Sequence, residues 1–427
     1  MANSARKFHW AIPVAVVTFL ALLGAAAFRS TTSVLFVPLE MEFGWLRSDT
    51  SLAISVNLVF YGLMAPFAAT LMARYSVRAI GAISLGLVAV GTLLTLVMSQ
   101  VWHLVALWGV VNGIATGSMA LVGGAVVATR WFEKGRGVVT GIFSAAFATG
   151  SLIFLPLISM LIEHYGWRTA SLTIGAFALL VCLLFAIFFR ESPAAVGQQP
   201  YGAKGEAADA RAAVKRAITL RSSFAALFRA TKSFKFWALA STFFVCGWTT
   251  NGLIGAHFIP AAHDHGMSMT TASSLLAVVG IFDIVGTIAS GWLTDRVNPV
   301  ILLAFYYGLR GLALFTVPFV LGPEVEPPLL FFIIFYGLDW VATVPPTIEL
   351  CRRYFGLEYA AVIFGWLFAS HMIGASIAAS FAGYVRVLDG SYFIAWITAA
   401  VLCIAATVTI LLLLRKKLAQ PLDLAEV

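Results

Sequence analysis

The sequence predicts an all-α integral membrane protein: twelve transmembrane helices in two six-helix pseudo-repeat bundles, a 6+6 arrangement. Three observations predict it. Of 427 residues, 61% are hydrophobic and only 11% are charged, against about 25% charged in soluble domains. The apolar residues gather into twelve long runs with short polar joints between them. The basic residues fall almost wholly on one side of those runs. With a mean hydropathy of +0.94, these features exclude a soluble enzyme, a disordered chain and a secreted disulfide scaffold.

The runs lie at about 10–37, 50–73, 79–98, 102–127, 137–162, 169–189, 236–260, 269–293, 298–319, 327–349, 358–384 and 389–414. Each is long enough to cross ~30 Å of hydrocarbon as a helix. The first follows MANSARKFHW, and Ala25 to Ala27 imitate a signal-peptidase site. The run continues past Arg29 to about Pro38, too long for a secretory core, so it is read as a retained first helix. Cys182, Cys246 and Cys403 lie inside runs, Cys351 closes one, and no Cys-x-x-Cys occurs. They read as small hydrophobes. No metal and no cofactor is expected.

Charge sets the orientation. With both termini cytoplasmic, 22 of the 27 Lys and Arg residues lie inside. Only Arg47, Arg168 and Arg386 fall in outer loops, and Arg29 and Arg310 fall within runs. This is the positive-inside pattern, and it accounts for the net charge of +8 without nucleic acid. A multi-pass protein of a bacterial-type inner (cytoplasmic) membrane is expected, as a monomer.

The expected organisation is an N-terminal bundle at 1–190, a cytoplasmic linker at 191–234, and a C-terminal bundle with a short tail at 235–427. Residues 206–218 of the linker are compatible with a surface helix. The bundles repeat at a nearly fixed offset. Arg74 matches Arg296 and Gly86-Leu87 matches Gly308-Leu309, both at 222. Arg130-Trp131-Phe132 matches Arg353-Tyr354-Phe355 at 223, and Gly141 and Gly150 match Gly365 and Gly374 at 224. A duplicated six-helix unit is characteristic of secondary transporters, whose substrate site lies near the midplane between the halves.

The stretch Gly291-Trp-Leu-Thr-Asp295-Arg296 resembles the Gly-x-x-x-Asp-Arg loop motif of the major facilitator superfamily. Its first-half copy, Ala69-Thr-Leu-Met-Ala73-Arg74, lacks the glycine and the aspartate. Phe132, Lys134, Arg136, Gly141 and Gly150 resemble the bacterial monocarboxylate porter (oxalate/lactate-type) branch, with Ala146 where that branch usually has glycine. Gly280-Ile-Phe-Asp283 and Gly291 match it too. The resemblance implies gating roles for Asp295, Arg296, Arg130 and Arg136. It also associates Asp283 with proton coupling and substrate binding. The branch places an arginine four residues later, where this chain has Thr287. A first-helix lysine of the branch falls within about one residue of Arg29.

A charge at mid-bilayer costs from ~3 to over 10 kcal/mol unless it has a partner, a wet cavity or a role. Four such residues stand out: Arg29, Asp283, Arg310 and Asp339. Asp283 heads a polar stripe with Thr287, Ser290 and Thr294, one helical face suited to lining a cavity. Arg310 could grip a substrate carboxylate by bidentate hydrogen bonds, or form a buried pair with Asp283 across the hairpin of runs eight and nine. Arg29, on one face with Thr32 and Ser33, is the stronger substrate candidate; a structural pair is its alternative. Asp339 could carry a proton, since a dry site favours the neutral carboxyl, or pair with Arg310 or Arg29. Pro345 and Pro346 should break or kink the end of that helix.

His371 reads as a packed hydrogen-bonding group or a proton relay. His257, His263 and His265 cluster with Asp264 at the outer mouth, a solvated group rather than a metal site. Asn57 and Tyr61, Asn112, Asn251 and Trp340 complete the expected substrate-binding set. No nucleotide-binding loop occurs, and an enzyme is not expected. The expected function is proton-coupled symport of a small organic anion, by resemblance a monocarboxylate, through alternating access. The alternative is an exporter of an amphipathic metabolite or drug by proton antiport.

Overall fold

A computed structural model describes residues 9–119, 122–203 and 220–414. The possible linker helix at 206–218 lies outside them. The chain runs through twelve spans. The first is Ala11–Thr31, followed by a short helix, Phe36–Phe43. The second is Arg47–Arg74 and the third Val77–Leu94. The fourth is interrupted: Val101–Leu104, a π-helical stretch Val105–Val111, then Asn112–Met119 and Val122–Trp131. The fifth is Arg136–Tyr165 and the sixth Trp167–Phe188.

Past the linker, a short helix Leu220–Ala230 leads to the seventh span. This begins as Phe234–Gly247, widens into a π-helical stretch Trp248–Ile254, and ends as Gly255–Asp264. The eighth is Met269–Thr294 and the ninth Pro299–Val320. The tenth covers Pro327–Gly356, broken after Asp339. The eleventh is Tyr359–Asp389 and the twelfth Phe393–Leu411. Gly356, at φ +77°, makes the reversal between the tenth and eleventh, a conformation that costs glycine little. Among the described residues, eight of these helices are by length and composition alone long and apolar enough to cross a bilayer.

Packing repeats the duplication seen in the sequence. The first span packs on the fifth and the seventh on the eleventh; the third on the sixth and the ninth on the twelfth. Two seams join the halves, the second span against the eleventh and the fifth against the eighth, and the repeat exchanges one seam for the other. Large apolar side chains such as Ile288, Phe319 and Phe331 point outward, as lipid contact requires.

The seam of the second and eleventh spans is built from small residues. Ser55 donates to the Ser376 carbonyl at 2.7 Å, and Ser380 donates to Ser55 at 2.7 Å. A Cβ added at Gly383 would sit 2.1 Å from the Ser51 hydroxyl. Backbones can approach this closely only where side chains are minimal.

The end remote from both termini is closed on both seams. On one, Arg47 of the second span is bonded to Glu40, donates to the Tyr392 hydroxyl at 2.8 Å, and lies 3.7 Å from Asp264. Arg386 holds Asp264 at 2.7 Å. On the other, Glu163 at the foot of the fifth span accepts the Thr270 N–H at 3.0 Å and its hydroxyl at 2.6 Å. That places a carboxylate at the N-terminus of the eighth helix, where the helix dipole favours it. Nearby, the Trp167 indole and Arg168 hold the Glu42 carboxyl below the usual range. At the other end Phe224 of the linker helix stands 5.9 Å from Phe67 and 5.2 Å from Trp366, bridging the two halves.

Two expectations change here. His257 is not at a solvated mouth: it is fully buried, bonded to the Tyr392 hydroxyl at 3.1 Å and the Ala379 carbonyl at 2.9 Å. Pro345 and Pro346 do not end the tenth helix. They open its second segment, from Val344, and the break lies just before them, at 340–343.

Candidate functional site

A central cavity of about 110 Å³ lies between the halves. The first span contributes Arg29, the turn after it Thr32 and Ser33, and the second span Asn57; the seventh contributes Asn251; the eighth, Asp283; and the tenth, Trp340. Ile54, Leu155, Leu276 and Val279 supply apolar walls. Polar groups set among apolar walls can orient a small molecule.

Arg29 is part of its lining. Its guanidinium lies over the Tyr61 ring, 4.1 Å from the centroid, a cation–π contact. It donates to the Asn251 side-chain oxygen at 3.1 Å. That bond crosses from one half to the other. Arg29 and Asn251 are separated by 222 residues, the repeat offset itself, so they are equivalent positions meeting at the pseudo-two-fold axis. The Asn251 amide nitrogen in turn lies 3.1 Å from His371 Nε2. His371 is flanked by Phe368, stacked at 5.7 Å, and Phe243, tilted at 4.7 Å.

Asn57 lines the cavity and donates its amide to the Trp108 carbonyl at 2.7 Å. Trp108 belongs to the π-helical stretch of the fourth span. Such wide turns disturb the regular i→i+4 ladder. The seventh span repeats the device: the Thr249 carbonyl in its π-helical stretch accepts the Tyr336 hydroxyl at 2.8 Å.

The break in the tenth span explains the remaining polar residues. Unwound backbone at membrane depth must be satisfied by protein. The Val341 N–H is taken by Asp283 at 3.0 Å and the Ala342 carbonyl by Ser290 at 2.5 Å. The carbonyls of Asp339 and Trp340 accept Arg310 Nη2 at 2.6 and 3.3 Å. Arg310 is completely buried and its Nε donates to the Asp339 carboxylate at 2.5 Å. Its Nη1 reaches Cys246 Sγ at 3.1 Å and the Thr249 hydroxyl at 3.3 Å.

Several sequence-based expectations are therefore relocated. Arg310 pairs with Asp339 rather than Asp283, and both lie outside the cavity lining. The stripe below Asp283 does not line the cavity. Thr287 donates to Asp283 at 3.0 Å, Ser290 serves the break, and Thr294 bonds the Ser290 carbonyl. Cys246, read as a plain hydrophobe, is a partner of Arg310. Asn112 is buried against Gly91 and its amide has no partner among the described residues, so it belongs to the packing of the third and fourth spans. Tyr61 is buried beneath Arg29 and His371 lies one residue behind the cavity, through Asn251.

The motif residues lie at the end bearing the termini. Arg130 pairs with Glu191 at 2.6 Å, and Glu191 accepts the Val77 and Arg78 N–H groups at the start of the third span. Arg296 stacks on Trp292, 4.2 Å from the ring centroid, and Asp295 is exposed. Arg136 opens the fifth span, and its side chain lies outside the described residues. No group of three or more metal-ligating side chains exists among the described residues; Asp264, between His263 and His265, bridges Arg47 and Arg386 instead.

Comparison with known proteins agrees with this architecture. The family model described as Major Facilitator Superfamily matches residues 18–379. The "Uncharacterized MFS-type transporter YcxA" of Bacillus subtilis (strain 168) is 24% identical over 369 residues, covering 86% of this chain and 86% of that protein. "Monocarboxylate transporter 12-B" of Danio rerio is 25% identical, covering 90% of this chain and 82% of its own. Among solved structures, a D-xylose–proton symporter superposes with a TM-score of 0.71 at 14% identity, over 96% of this chain and 99% of that one. A bacterial homologue of the human lysosomal transporter Spinster, inward-facing and unoccupied, gives 0.64 at 16% identity, over 96% of both. With its twelve spans, its duplicated halves and a family match over most of its length, the chain is a multi-pass membrane protein that belongs to the major facilitator superfamily.

Proposed function

We propose that this protein moves a small monocarboxylate together with a proton, by alternating exposure of the central cavity. The observation that carries the reading is that Arg29 and Asp283 border one cavity between the halves. The Arg310–Asp339 pair lies outside the cavity lining, whereas Arg29 is part of it. A guanidinium matches a carboxylate in shape and charge, and the apolar walls suit a short carbon skeleton. Asn57, Asn251 and Trp340 orient the cargo, and Tyr61 positions Arg29 from beneath.

Charge balance supplies the coupling. Arg29 and an ionised Asp283 sum to zero, so an incoming carboxylate leaves one uncompensated negative charge at mid-bilayer. A proton taken up by Asp283 restores neutrality. The monocarboxylate transporters among the relatives favour the same cargo class. The one-sided distribution of basic residues supports a cytoplasmic location for both termini, and the reading is of a bacterial-type inner membrane.

Thr287, standing where the porter branch has an arginine, and the apolar walls favour a second reading, export of an amphipathic acid by proton antiport. The test is uptake of radiolabelled L-lactate and pyruvate into proteoliposomes with an imposed pH gradient. Symport predicts uptake driven by an alkaline interior and lost in Arg29→Ala. With Asp283→Asn, cargo exchange persists but no longer follows the gradient. Absence of flux for every short carboxylate overturns the reading.

A further inference from the structure

We infer that the short helix Leu220–Ala230 lies in the headgroup layer of the leaflet nearest the termini, and that the partner it meets there is anionic lipid. This docking is independent of the cargo and of the central cavity.

The helix is one-sided. Ser223, Ala226 and Ala230 fall at i, i+3 and i+7 and are buried against the protein. The Trp366 indole of the eleventh span fixes that side by donating to the Ser223 carbonyl at 3.3 Å. The opposite side carries Phe228, 67% exposed, with Phe224 and Ala225 exposed beside it.

The apolar side continues into the lipid-facing surface of the seventh span. Phe234 and Trp237, in the first turn of that span, are exposed as well. Only Thr231, Lys232 and Ser233 join the two helices. The joint is tied at both ends: the Trp237 indole donates to the Thr231 carbonyl at 2.8 Å, and the Thr231 hydroxyl donates to the Phe228 carbonyl at 2.9 Å. Three residues reach at most about 10 Å, and a headgroup layer is roughly 5–8 Å thick. The helix therefore stands at the depth where Phe and Trp side chains favour the interface. In water its outer stripe would be bare, and a continuous apolar stripe marks an interaction surface. A water-soluble partner would have to enter the bilayer surface to cover Trp237; lipid covers the whole stripe.

Charge selects the kind of lipid. Between Leu220 and Lys235 the chain has Arg221, Arg229, Lys232 and Lys235 and no acidic residue. Lys232, in the joint, is exposed. A basic helix with aromatic residues on its outer face is suited to lie in the plane of an anionic surface. The same helix carries Phe224, which meets Phe67 and Trp366 across the halves. One rigid element thus joins the leaflet to the ring cluster that bridges the two bundles.

The test is the depth of residue 228. Phe228→Cys is made in a Cys182→Ala background, since the other three cysteines are buried. It is labelled with a polarity-sensitive fluorophore and placed in nanodiscs, where both faces meet solvent. The lipid is phosphatidylcholine alone or an equal mixture with phosphatidylglycerol. In the mixture, lipids spin-labelled near the headgroup should quench the label more than lipids labelled near the chain end. Iodide should quench it far less than a label at Ala195→Cys, an exposed linker position. In phosphatidylcholine alone, access to iodide should rise at least about fivefold, the effect of losing the attraction of one basic residue. Phe224→Ala releases the ring cluster and should leave the label seated in the mixture.

Iodide access at position 228 equal to that at 195 in the mixture overturns the proposal. Equal access in the two lipid compositions overturns the assignment to anionic lipid. A label that lifts into solvent in Phe224→Ala, with the lipid unchanged, shows that protein contact alone holds the helix, and this too overturns the proposal.

Discussion

Replacing Asp339 by alanine removes the only carboxylate, among the described residues, bonded to a guanidinium that has no exposure to solvent. Arg310 would keep neutral partners: the Trp340 carbonyl, Cys246, Thr249 and the main-chain carbonyl of residue 339. Its other hydrogen bonds would survive, but the Nε bond would be lost and its charge uncompensated. Breaking a buried pair from one side costs about 3–5 kcal/mol. With about 2–4 °C lost per kcal/mol for a unit the size of one bundle, the apparent Tm should fall by roughly 6–20 °C. The informative comparison is the double variant Arg310→Met with Asp339→Leu. It removes both charges and their desolvation cost, but leaves the carbonyls at the break without a donor, worth about 1–3 kcal/mol. The double variant should therefore recover most of the loss. Thermal unfolding in detergent, followed by tryptophan fluorescence, gives the ranking. A double variant as unstable as Asp339→Ala, or an Asp339→Ala protein within about 1 kcal/mol of the parent, would refute the reasoning. Lactate flux in the double variant asks a second question. If Asp339 serves only to hold Arg310, flux returns with stability; if it carries the coupling proton, flux stays absent.

Other outcomes follow from the same structure. Arg29→Lys keeps the charge but loses the planar fork, and should weaken lactate binding by about tenfold, or about 1.4 kcal/mol, with the pH dependence retained. Arg47→Ala unties Glu40, Tyr392 and Asp264 at the remote end. It should shift the balance toward opening there by about 2 kcal/mol, roughly thirtyfold, read as faster labelling of Ser55→Cys by an impermeant thiol reagent. Gly383→Ala would place a methyl group against the Ser51 hydroxyl, so it should also speed that labelling, and Ser51→Ala should partly restore the parent rate. Unchanged labelling in both would show that the seam is not what closes this end.

The fold was legible because bilayer physics writes it in composition. Every span is an apolar run, and the expected 169–189 and 389–414 are found at Trp167–Phe188 and Phe393–Leu411. Only twelve crossings with both termini on one side put the arginines and lysines where they are. Arg29, Asn57, Asn251, Asp283 and Trp340 were singled out because polar groups inside such runs need a reason, and they do meet at one cavity. What the sequence left open was pairing, since Arg310 could be matched with Asp283 or with Asp339. Adjacency of the eighth and ninth spans suggested Asp283 for Arg310. The deciding factor was the break at 340–343, which frees carbonyls beside Asp339 that the same guanidinium can collect. The break also claimed the stripe below Asp283. Cys246 carried no signal of its own. The Arg29–Asn251 contact did carry one, unused: the two positions differ by the repeat offset.

The π-helical stretch around Asn251 has a consequence for how this site can vary. One added residue per turn there changes the angular address of everything that follows by about 100°. Asn251 sits inside that widened turn, so its direction is written in the length of the chain and not in any one side chain. Substitutions nearby leave the address intact. Deleting a single residue between Trp248 and Ile254 would wind the span back into a regular α-helix and swing the amide off the axis. Homologues that keep Arg29 but lack the extra residue would need another means of restraining it, which makes the length of this turn, more than its letters, the feature to compare among them.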